Sequence, residues 1–251
     1  MQLKKFNVLG FDVDIINFND ALKYTLNRLE NGKSTHVVTI NPEIIEQGNK
    51  DNELKSILKS ADLTIPDGVG VMLALKLSGV KSASRIPGVD FAFNLLKESA
   101  KYNYPVALIG SKDEIINKAC ENLKLKIPNL NITYCHNGFF DISEEKIIND
   151  YIIKIAPKII LVAMGGKKQE LFINNLKENI EGCVFIGVGG SFDVWSGYVK
   201  RAPLIFQKSG LEWLYRVISQ PSRFKRIFPT LPMFIIKVII NNMLKESGGC
   251  N

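Results

Sequence analysis

Short apolar runs alternate with longer amphipathic segments over most of the chain. Short apolar runs bounded by turn residues are typical of buried strands in parallel sheets. In the segments between them, mainly apolar residues recur on one face, as at Ala21, Leu22, Thr25, Leu26 and Leu29, which predicts helices with one buried face. The pattern predicts strands at Val8–Val13, His36–Ile40, Leu63–Ile65, Val106–Ile109, Ile132–Cys135, Ile159–Ala163 and Val184–Val188.

This alternation predicts an α/β fold in which a mainly parallel, Rossmann-like sheet is flanked by helices. The α/β body spans residues 1–199. A second α/β unit begins at Tyr104–Pro105, so the body is divisible into halves, 1–103 and 104–199, that share a sheet or a cleft. No repeat or flexible linker separates these halves.

Residues 200–251 differ in character from the body and are here called the C-terminal appendage. Residues 1–199 hold 23 Lys+Arg and 23 Asp+Glu, whereas the appendage holds 9 Lys+Arg and only 2 Glu. The formal net charge of +7 therefore belongs to the appendage. Its pattern predicts amphipathic helices interrupted by Pro221, Pro229 and Pro232. A basic, aromatic-rich segment suits an anionic partner: a membrane surface, a phosphorylated ligand or nucleic acid.

Length and composition exclude several classes of protein. A chain of 251 residues with 46% hydrophobic and 23% charged residues is not disordered, collagen-like or a polytopic membrane protein. Met1–Gly10 lacks the apolar region of a signal peptide, and Leu231–Ile240 is about half as long as a membrane-spanning helix. The cysteines form no CxxC pair, and most lie in apolar segments, which favours free buried thiols in a reducing cytoplasm. They are Cys120, Cys135, Cys183 and Cys250.

Polar residues follow the predicted strands at their carboxyl ends, where ligands of parallel α/β sheets bind. Thr39 and Asn41 end the second strand and offer hydrogen-bonding groups, although Asn41 before Pro42 fits a helix N-cap equally well. Asp67 follows the third strand between a proline and a glycine. A carboxylate held in this way suits a general base, and alternatively a turn residue or a helix cap.

Arg85 is a candidate ligand residue in a loop that contains proline and glycine. Only Arg28 and Arg85 occur in residues 1–199, although lysine is abundant there. The planar guanidinium group is suited to a carboxylate or a phosphate. We therefore expect Arg85 to pair with an anionic group of a ligand or with Asp90.

Two turns of small residues present backbone N–H groups that suit a diphosphate. Neither turn is a P-loop, and the second lacks the third glycine of a dinucleotide-binding fingerprint and comes late in the chain. A nucleotide-dependent oxidoreductase is therefore only weakly supported. The glycines of the two turns are Gly165, Gly166, Gly187, Gly189 and Gly190.

The sequence predicts no metal site. Asp12 and Asp14 are spaced like a metal-binding DxD pair, but no second acidic cluster accompanies them, which favours a solvated strand edge. His36 and His136 have no Cys or His partner at the spacing of metal ligands.

The motifs keep a fixed order along nearly the whole chain. They are Thr39-x-Asn41-Pro42-Glu43, Asp67-Gly68-x-Gly70, Arg85-x-x-Gly88-x-Asp90, Lys168-Gln169-Glu170, Gly187-Val188-Gly189-Gly190-Ser191-Phe192-Asp193, Arg201-Ala202-Pro203, Leu211-Glu212-Trp213-Leu214-Tyr215-Arg216 and Gln220-Pro221-x-Arg223-x-x-Arg226. This ordered set resembles the WecG/TagA/CpsF family of glycosyltransferases. One departure is Lys167, where the family usually has proline, which questions the rigidity of that turn.

The resemblance implies an inverting transfer of N-acetylmannosamine from UDP-ManNAc to the GlcNAc of an undecaprenyl-diphosphate-linked acceptor. The β-1,4 product belongs to the linkage unit of wall teichoic acid. The resemblance also implies that no metal or other cofactor is needed, and that Asp67 is the catalytic base. It assigns substrate binding to Thr39, Asn41, Arg85, Gln169, Gly187, Gly189, Gly190, Arg216, Arg223 and Arg226.

The implied chemistry agrees with these residue types. A single displacement needs one base, and without a metal the charge of the leaving UDP needs arginines and backbone N–H groups. We expect a cytoplasmic protein, peripherally bound to the inner face of the membrane, without a nucleic-acid partner, as a monomer or a homo-oligomer. The alternatives are another UDP-sugar in capsule or exopolysaccharide synthesis, an oxidoreductase, and a non-catalytic binding module. The last leaves Asp67, Arg85 and Gln169 without a role.

Overall fold

The computed structural model describes residues 3–219 and 224–248. The strands are β1 (Lys5–Val8), β2 (Phe11–Asp14), β3 (Thr35–Ile40), β4 (Leu63–Pro66), β5 (Val106–Gly110), β6 (Ile132–His136), β7 (Ile159–Ala163) and β8 (Val184–Gly187). The helices are α1 (Phe18–Glu30), α2 (Pro42–Lys50), α3 (Asn52–Lys59), α4 (Val69–Leu77), α5 (Gly88–Lys101), α6 (Asp113–Lys126), α7 (Ile142–Ile155), α8 (Gly166–Lys177), α9 (Ser191–Trp195), α10 (Leu204–Lys208), α11 (Glu212–Ser219) and α12 (Phe224–Gly248).

Six of these strands form one parallel sheet in the order β4-β3-β8-β7-β5-β6. This confirms the predicted α/β fold with a parallel sheet flanked by helices. The strands β5 and β7 are buried at every residue, as continuous apolar strands covered on both faces should be. The last strand, β8, lies in the interior of the sheet between β3 and β7, so its carboxyl end lies beside that of β3.

The run Val8–Val13 was predicted as one strand, and this is wrong. It contains the turn of an antiparallel hairpin, in which Val8 of β1 pairs with Phe11 of β2. The turn residues Leu9 and Gly10 have φ values of 49° and 95°. The glycine in the middle of the run was the available signal of a chain reversal.

The solvated edge predicted for the Asp12 and Asp14 pair holds for Asp12 and is wrong for Asp14. Asp12 is exposed and accepts a hydrogen bond from the side chain of Asn7. Asp14 is fully buried, and its Oδ2 accepts a hydrogen bond of 2.7 Å from the backbone N–H of Thr64. This carboxylate attaches the hairpin to β4.

The expectation of free thiols is also corrected. Cys120 on α6 and Cys135 on β6 form a disulfide, because α6 packs beside this strand. Apolar spacing indicated that both side chains face inward, but it does not show which two side chains meet. Cys183 is a free, buried thiol as expected, whereas Cys250 lies outside the described residues.

The C-terminal appendage packs against the body through α12. Phe234 and Val238 are buried in an apolar cluster with residues of α2 and α4. The helix continues through Pro229 and Pro232, so the interruptions predicted at these prolines are wrong, and Pro221 lies outside the described residues. Burial of one helix face outweighs the hydrogen bonds that the prolines remove.

The opposite face of α12 is apolar and exposed. We call it the exposed apolar face; its members recur at helical spacing and are Met233, Ile236, Ile240, Met243 and Leu244. Within the described residues, no helix combines the length and the hydropathy that are needed to cross a bilayer.

Candidate active site

An open cleft of about 470 Å³ lies at the carboxyl edge of the sheet. The ends of β3, β4 and β8 form its floor, and the first residues of α2, α4, α5 and α8 form its walls. Residues of α11 and α12 cover one side, where Trp213 and Leu231 reach the lining. The structure brings together in this lining the sequence-predicted residues Thr39, Asn41, Asp67, Arg85, Gln169, Gly189 and Gly190.

Asp67 follows β4 directly and is held by its backbone. Its N–H donates a hydrogen bond of 2.8 Å to the carbonyl of Ile40, which extends the pairing of β3 with β4. Its Oδ2 accepts a bond of 3.3 Å from the N–H of Gly88, the first residue of α5. The carboxylate therefore faces the cleft in a fixed position.

Thr39 and Asn41 lie close to Asp67, at the end of the neighbouring strand β3. Asn41 is the N-cap of α2, since its Oδ1 accepts a bond of 3.1 Å from the N–H of Ile44. Asn41 also lines the cleft, so the two positions considered for it, at the helix N-cap and in the cleft, both apply. The hydroxyl of Thr39 donates a bond of 3.3 Å to the carbonyl of Gly187 and so joins β3 to β8.

Gly187 lies beneath the cleft and is buried, and it is absent from the described lining. A Cβ at this position would overlap the side-chain amide of Gln169 and the carboxylate of Glu170. Gly187 is therefore a glycine because two side chains of α8 cross over it. In this structure Gly187 does not line the cleft, so it is not placed to contact the substrate directly as the resemblance implied.

Gln169 connects the cleft to a buried pair. Its Oε1 accepts a bond of 3.2 Å from the N–H of Gly189, and its Nε2 donates a bond of 3.0 Å to Glu170 Oε1. The second oxygen of Glu170 lies 2.9 Å from Nε2 of His36. The sequence did not indicate this pair, because His36 and Glu170 are 134 positions apart.

Arg85 reaches the cleft from the loop before α5. It donates bonds of 3.1 Å to the carbonyl of Gln207 and 3.2 Å to Glu212 Oε2. The prediction that Asp90 is its protein partner is wrong. Asp90 instead receives two bonds, of 2.5 and 2.6 Å, from the guanidinium group of Arg201, and this pairing raises the pKa of Arg201.

Glu212, in the first turn of α11, is only 3% exposed. It lies between Arg85 and the Nε of Arg201, at 3.8 Å from the latter. The sequence analysis named Glu212 only as part of a motif and gave it no role, because an isolated acidic residue in a basic segment does not indicate its partner. The pair of Arg85 and Glu212 joins the appendage to the wall of the cleft.

Lys167, which replaces the usual proline, is anchored by ion pairs. Its ammonium group lies 2.5 Å from Asp51 and 3.1 Å from Glu53 at the junction of α2 and α3. The hydrogen bond from Lys167 lowers the pKa of Asp51. Side-chain contacts thus hold the start of α8, which carries Gln169, at the position where the resemblance leads us to expect proline.

Charge is distributed unevenly around the cleft. Arg85 is the one cationic side chain among the described lining residues, whereas four carboxylates besides Glu170 line it: Glu43, Asp67, Asp193 and Glu212. The described part of the chain holds no group of three or more His, Cys, Asp or Glu residues arranged for a metal ion. Metal independence stays a prediction.

The predicted arginines of the appendage are only partly placed. Arg216 lies in α11 and Arg226 in α12, but their side chains are outside what the structure describes, as is Arg223 altogether. Their roles stay predictions.

Comparison with known proteins agrees with the order of the motifs. The model of the glycosyl transferase WecG/TagA/CpsF family matches residues 6–248. A protein of Bacillus spizizenii named N-acetylglucosaminyldiphosphoundecaprenol N-acetyl-beta-D-mannosaminyltransferase is 34% identical over 240 residues, which cover 95% of this chain and 91% of the relative. A protein of Bacillus subtilis (strain 168) with the same name is 34% identical over 211 residues, 84% of this chain and 81% of the relative. The chain therefore belongs to the WecG/TagA/CpsF family of glycosyl transferases.

Proposed function

We propose that this protein transfers N-acetylmannosamine from UDP-ManNAc to the GlcNAc of an undecaprenyl-diphosphate-linked acceptor, with inversion and a β-1,4 linkage, in the synthesis of the wall teichoic acid linkage unit. The two Bacillus relatives are named for the transfer of this sugar to this acceptor. The observation that carries the proposal is the position of Asp67 in a cleft walled by the first residues of four helices.

Asp67 is the proposed base. In a single displacement, the acceptor hydroxyl oxygen forms a bond to C1 of the sugar while the bond from C1 to the UDP phosphate oxygen breaks. The Asp67 carboxylate takes the proton of the attacking hydroxyl, and UDP leaves with the electron pair. A fixed backbone supports this role, because the base must lie within hydrogen-bond reach of one particular hydroxyl.

Helix N-termini are the proposed binding groups for the donor diphosphate. The helices α2, α4, α5 and α8 each begin in the cleft lining, and each N-terminus carries roughly half a positive charge. The turn at Gly189 and Gly190 adds backbone N–H groups. These groups suit a metal-free site that binds a diphosphate.

The arginines of the appendage are the proposed completion of the site. The described lining carries more carboxylates than cations, which opposes a dianionic ligand. Arg216, Arg223 and Arg226 lie in the sequence between the two stretches that cover the cleft, residues 212–213 and 230–231. We assign to them the neutralisation of the leaving diphosphate.

An enzyme whose acceptor is attached to a lipid must bind that acceptor at the surface of the bilayer. We assign to the protein a peripheral position on the inner face of the cytoplasmic membrane. The basic charge of the appendage and the exposed apolar face of α12 support this assignment.

Product mass is the direct test. The purified protein is incubated in EDTA with a GlcNAc-diphospholipid analogue and UDP-ManNAc, with UDP-GlcNAc and UDP-glucose as parallel donors. We expect the lipid to gain one N-acetylhexosamine from UDP-ManNAc alone, in a β-1,4 linkage by NMR. A product formed only from another donor would overturn the donor assignment and support the capsule-type alternative. A requirement for added Mg²⁺ would overturn metal independence.

A further inference from the structure

A buried chain of hydrogen bonds lies directly beneath the cleft. It runs from His36 on β3 through Glu170 and Gln169 on α8 to the N–H of Gly189 after β8. The exposed fractions of His36, Glu170 and Gln169 are 1%, 2% and 7%, so water competes little with these bonds. The chain joins three segments that are distant in the sequence.

The direction of this chain follows from what each group can donate. His36 Nδ1 is buried without a hydrogen-bond partner in the described structure, which fits a neutral ring that donates its Nε2–H to Glu170. The other oxygen of Glu170 accepts from Gln169, so the NH₂ of that amide must point toward the carboxylate. Oε1 of Gln169 is thereby left to accept from Gly189.

We propose that Glu170, held by His36, is a positioning residue for the transfer reaction. It fixes the orientation of the Gln169 amide, and that amide sets the turn at Gly189 and Gly190. The claim that Glu170 affects the transfer reaction rests on the proposed function, in which the turn at Gly189 and Gly190 binds the donor diphosphate. The hydrogen-bonded chain itself does not depend on it.

Gly187 supports the same inference independently. The side-chain amide of Gln169 and the carboxylate of Glu170 occupy the space that a Cβ of residue 187 would need. Gly187→Ala would displace the amide without removing any charge. It is therefore a second way to disturb the orientation that Glu170 maintains.

The test compares Glu170→Gln, Glu170→Ala and Gly187→Ala with the wild type. In Glu170→Gln the new amide oxygen can still accept from Gln169 while its NH₂ donates to Nε2 of the other neutral tautomer of His36, so this variant should retain the orientation. Asp14→Asn is the matched control, because Asp14 is a buried carboxylate outside the cleft. The first readout needs no substrate: exchange of the Gly189 amide proton, followed by NMR.

We expect slow exchange of the Gly189 proton in the wild type, Glu170→Gln and the control, and faster exchange in Glu170→Ala and Gly187→Ala. The KM for UDP-ManNAc should rise at least about tenfold in the last two variants, with a smaller change in kcat. Glu170→Gln should stay within about threefold of the wild type. This rescue separates positioning from a structural contribution to folding.

Unchanged exchange and unchanged KM in folded Gly187→Ala or Glu170→Ala would overturn the inference, as would equal losses in Glu170→Gln and Glu170→Ala. If Glu170→Ala does not fold, Gly187→Ala and Glu170→Gln decide. Inactivity of the wild type with UDP-ManNAc would instead refute the proposed function, while the exchange result would still report on the hydrogen-bonded chain.

Discussion

Asp67 derives its position from backbone contacts with β3 and with the start of α5. Its N–H is bonded to Ile40 and its carboxylate to the N–H of Gly88, so backbone groups hold both the residue and its side chain in place. The carboxylate of Asp67 can therefore be replaced without changing the geometry of the loop after β4. An isosteric amide should occupy the same place without accepting a proton.

We predict that Asp67→Asn lowers kcat by about 10²–10⁴-fold, since general-base catalysis contributes roughly that factor. The melting temperature should stay close to that of Asp12→Asn, a control that changes an exposed carboxylate bonded to Asn7. The measurements are steady-state transfer to the lipid analogue and thermal unfolding. Near-normal turnover in Asp67→Asn would remove Asp67 as the base.

Arg85 holds two acceptors at once, the carbonyl of Gln207 and the carboxylate of Glu212. We predict that Arg85→Lys raises the KM for donor or acceptor by about tenfold, because an ammonium group cannot reproduce the planar fork. Arg28→Lys is the control, since Arg28 likewise donates to a carbonyl oxygen, of Ser34, and to a carboxylate, of Asp62, outside the cleft. Unchanged KM values for both substrates would make Arg85 a structural residue only.

Residues at strand ends could be predicted, whereas their supporting partners could not. Thr39, Asn41 and Asp67 follow apolar runs directly, and the carboxyl ends of parallel strands meet at one edge of a sheet. Glu170 pairs with His36 and Glu212 with Arg85, at separations of 134 and 127 positions. Single-sequence periodicity contains no information on such pairs.

Helices and strands were predicted correctly where the hydrophobic pattern of a single segment determined them. The fully buried strands β5 and β7 left little ambiguity, because no polar position interrupts them. The hairpin was misread because Gly10 was not taken as a turn residue. The helix α12 was misread because the effect of Pro229 and Pro232 depends on tertiary packing. In α12, the burial of Phe234 against the body determined the outcome.

The attachment of the β1–β2 hairpin to β4 is predicted to depend on pH. Burial of Asp14 raises its pKa above the usual 3.8, although its bond from Thr64 acts in the opposite direction. A raised folded-state pKa contributes stability that is fully present below the unfolded pKa and is lost as the pH rises through the folded value. Ionisation of Asp14 at neutral pH therefore costs the folded state free energy.

We predict that the wild type gains unfolding free energy relative to Asp14→Asn as the pH falls from neutral toward 3.8. Asparagine does not titrate, so it lacks this proton uptake. Urea unfolding of both proteins over that range measures the difference. Parallel pH profiles would contradict the raised pKa of Asp14.

In the whole molecule, the excess of basic residues and the candidate active site lie in different parts of the chain. The body is electrically balanced, and its cleft carries mainly carboxylates, while the excess of basic residues lies in the appendage. The appendage packs on the body through Phe234 and Val238 and still presents the exposed apolar face of α12. Its removal as a whole would uncover the apolar cluster beneath those two residues. Truncation therefore cannot separate membrane contact from folding.

Substitutions on the exposed apolar face provide that separation. Ile240 and Met243 are 51% and 62% exposed, so Ile240→Glu with Met243→Glu should leave the core intact while opposing insertion into an anionic leaflet. We predict that this variant loses flotation with anionic liposomes and transfers poorly to bilayer-embedded acceptor, but uses a water-soluble acceptor analogue normally. Ile147→Glu is the control, because Ile147 is 70% exposed on α7, outside the appendage. Equal flotation of the double variant and the control would refute membrane docking through this face, since both changes place acidic groups at exposed apolar positions.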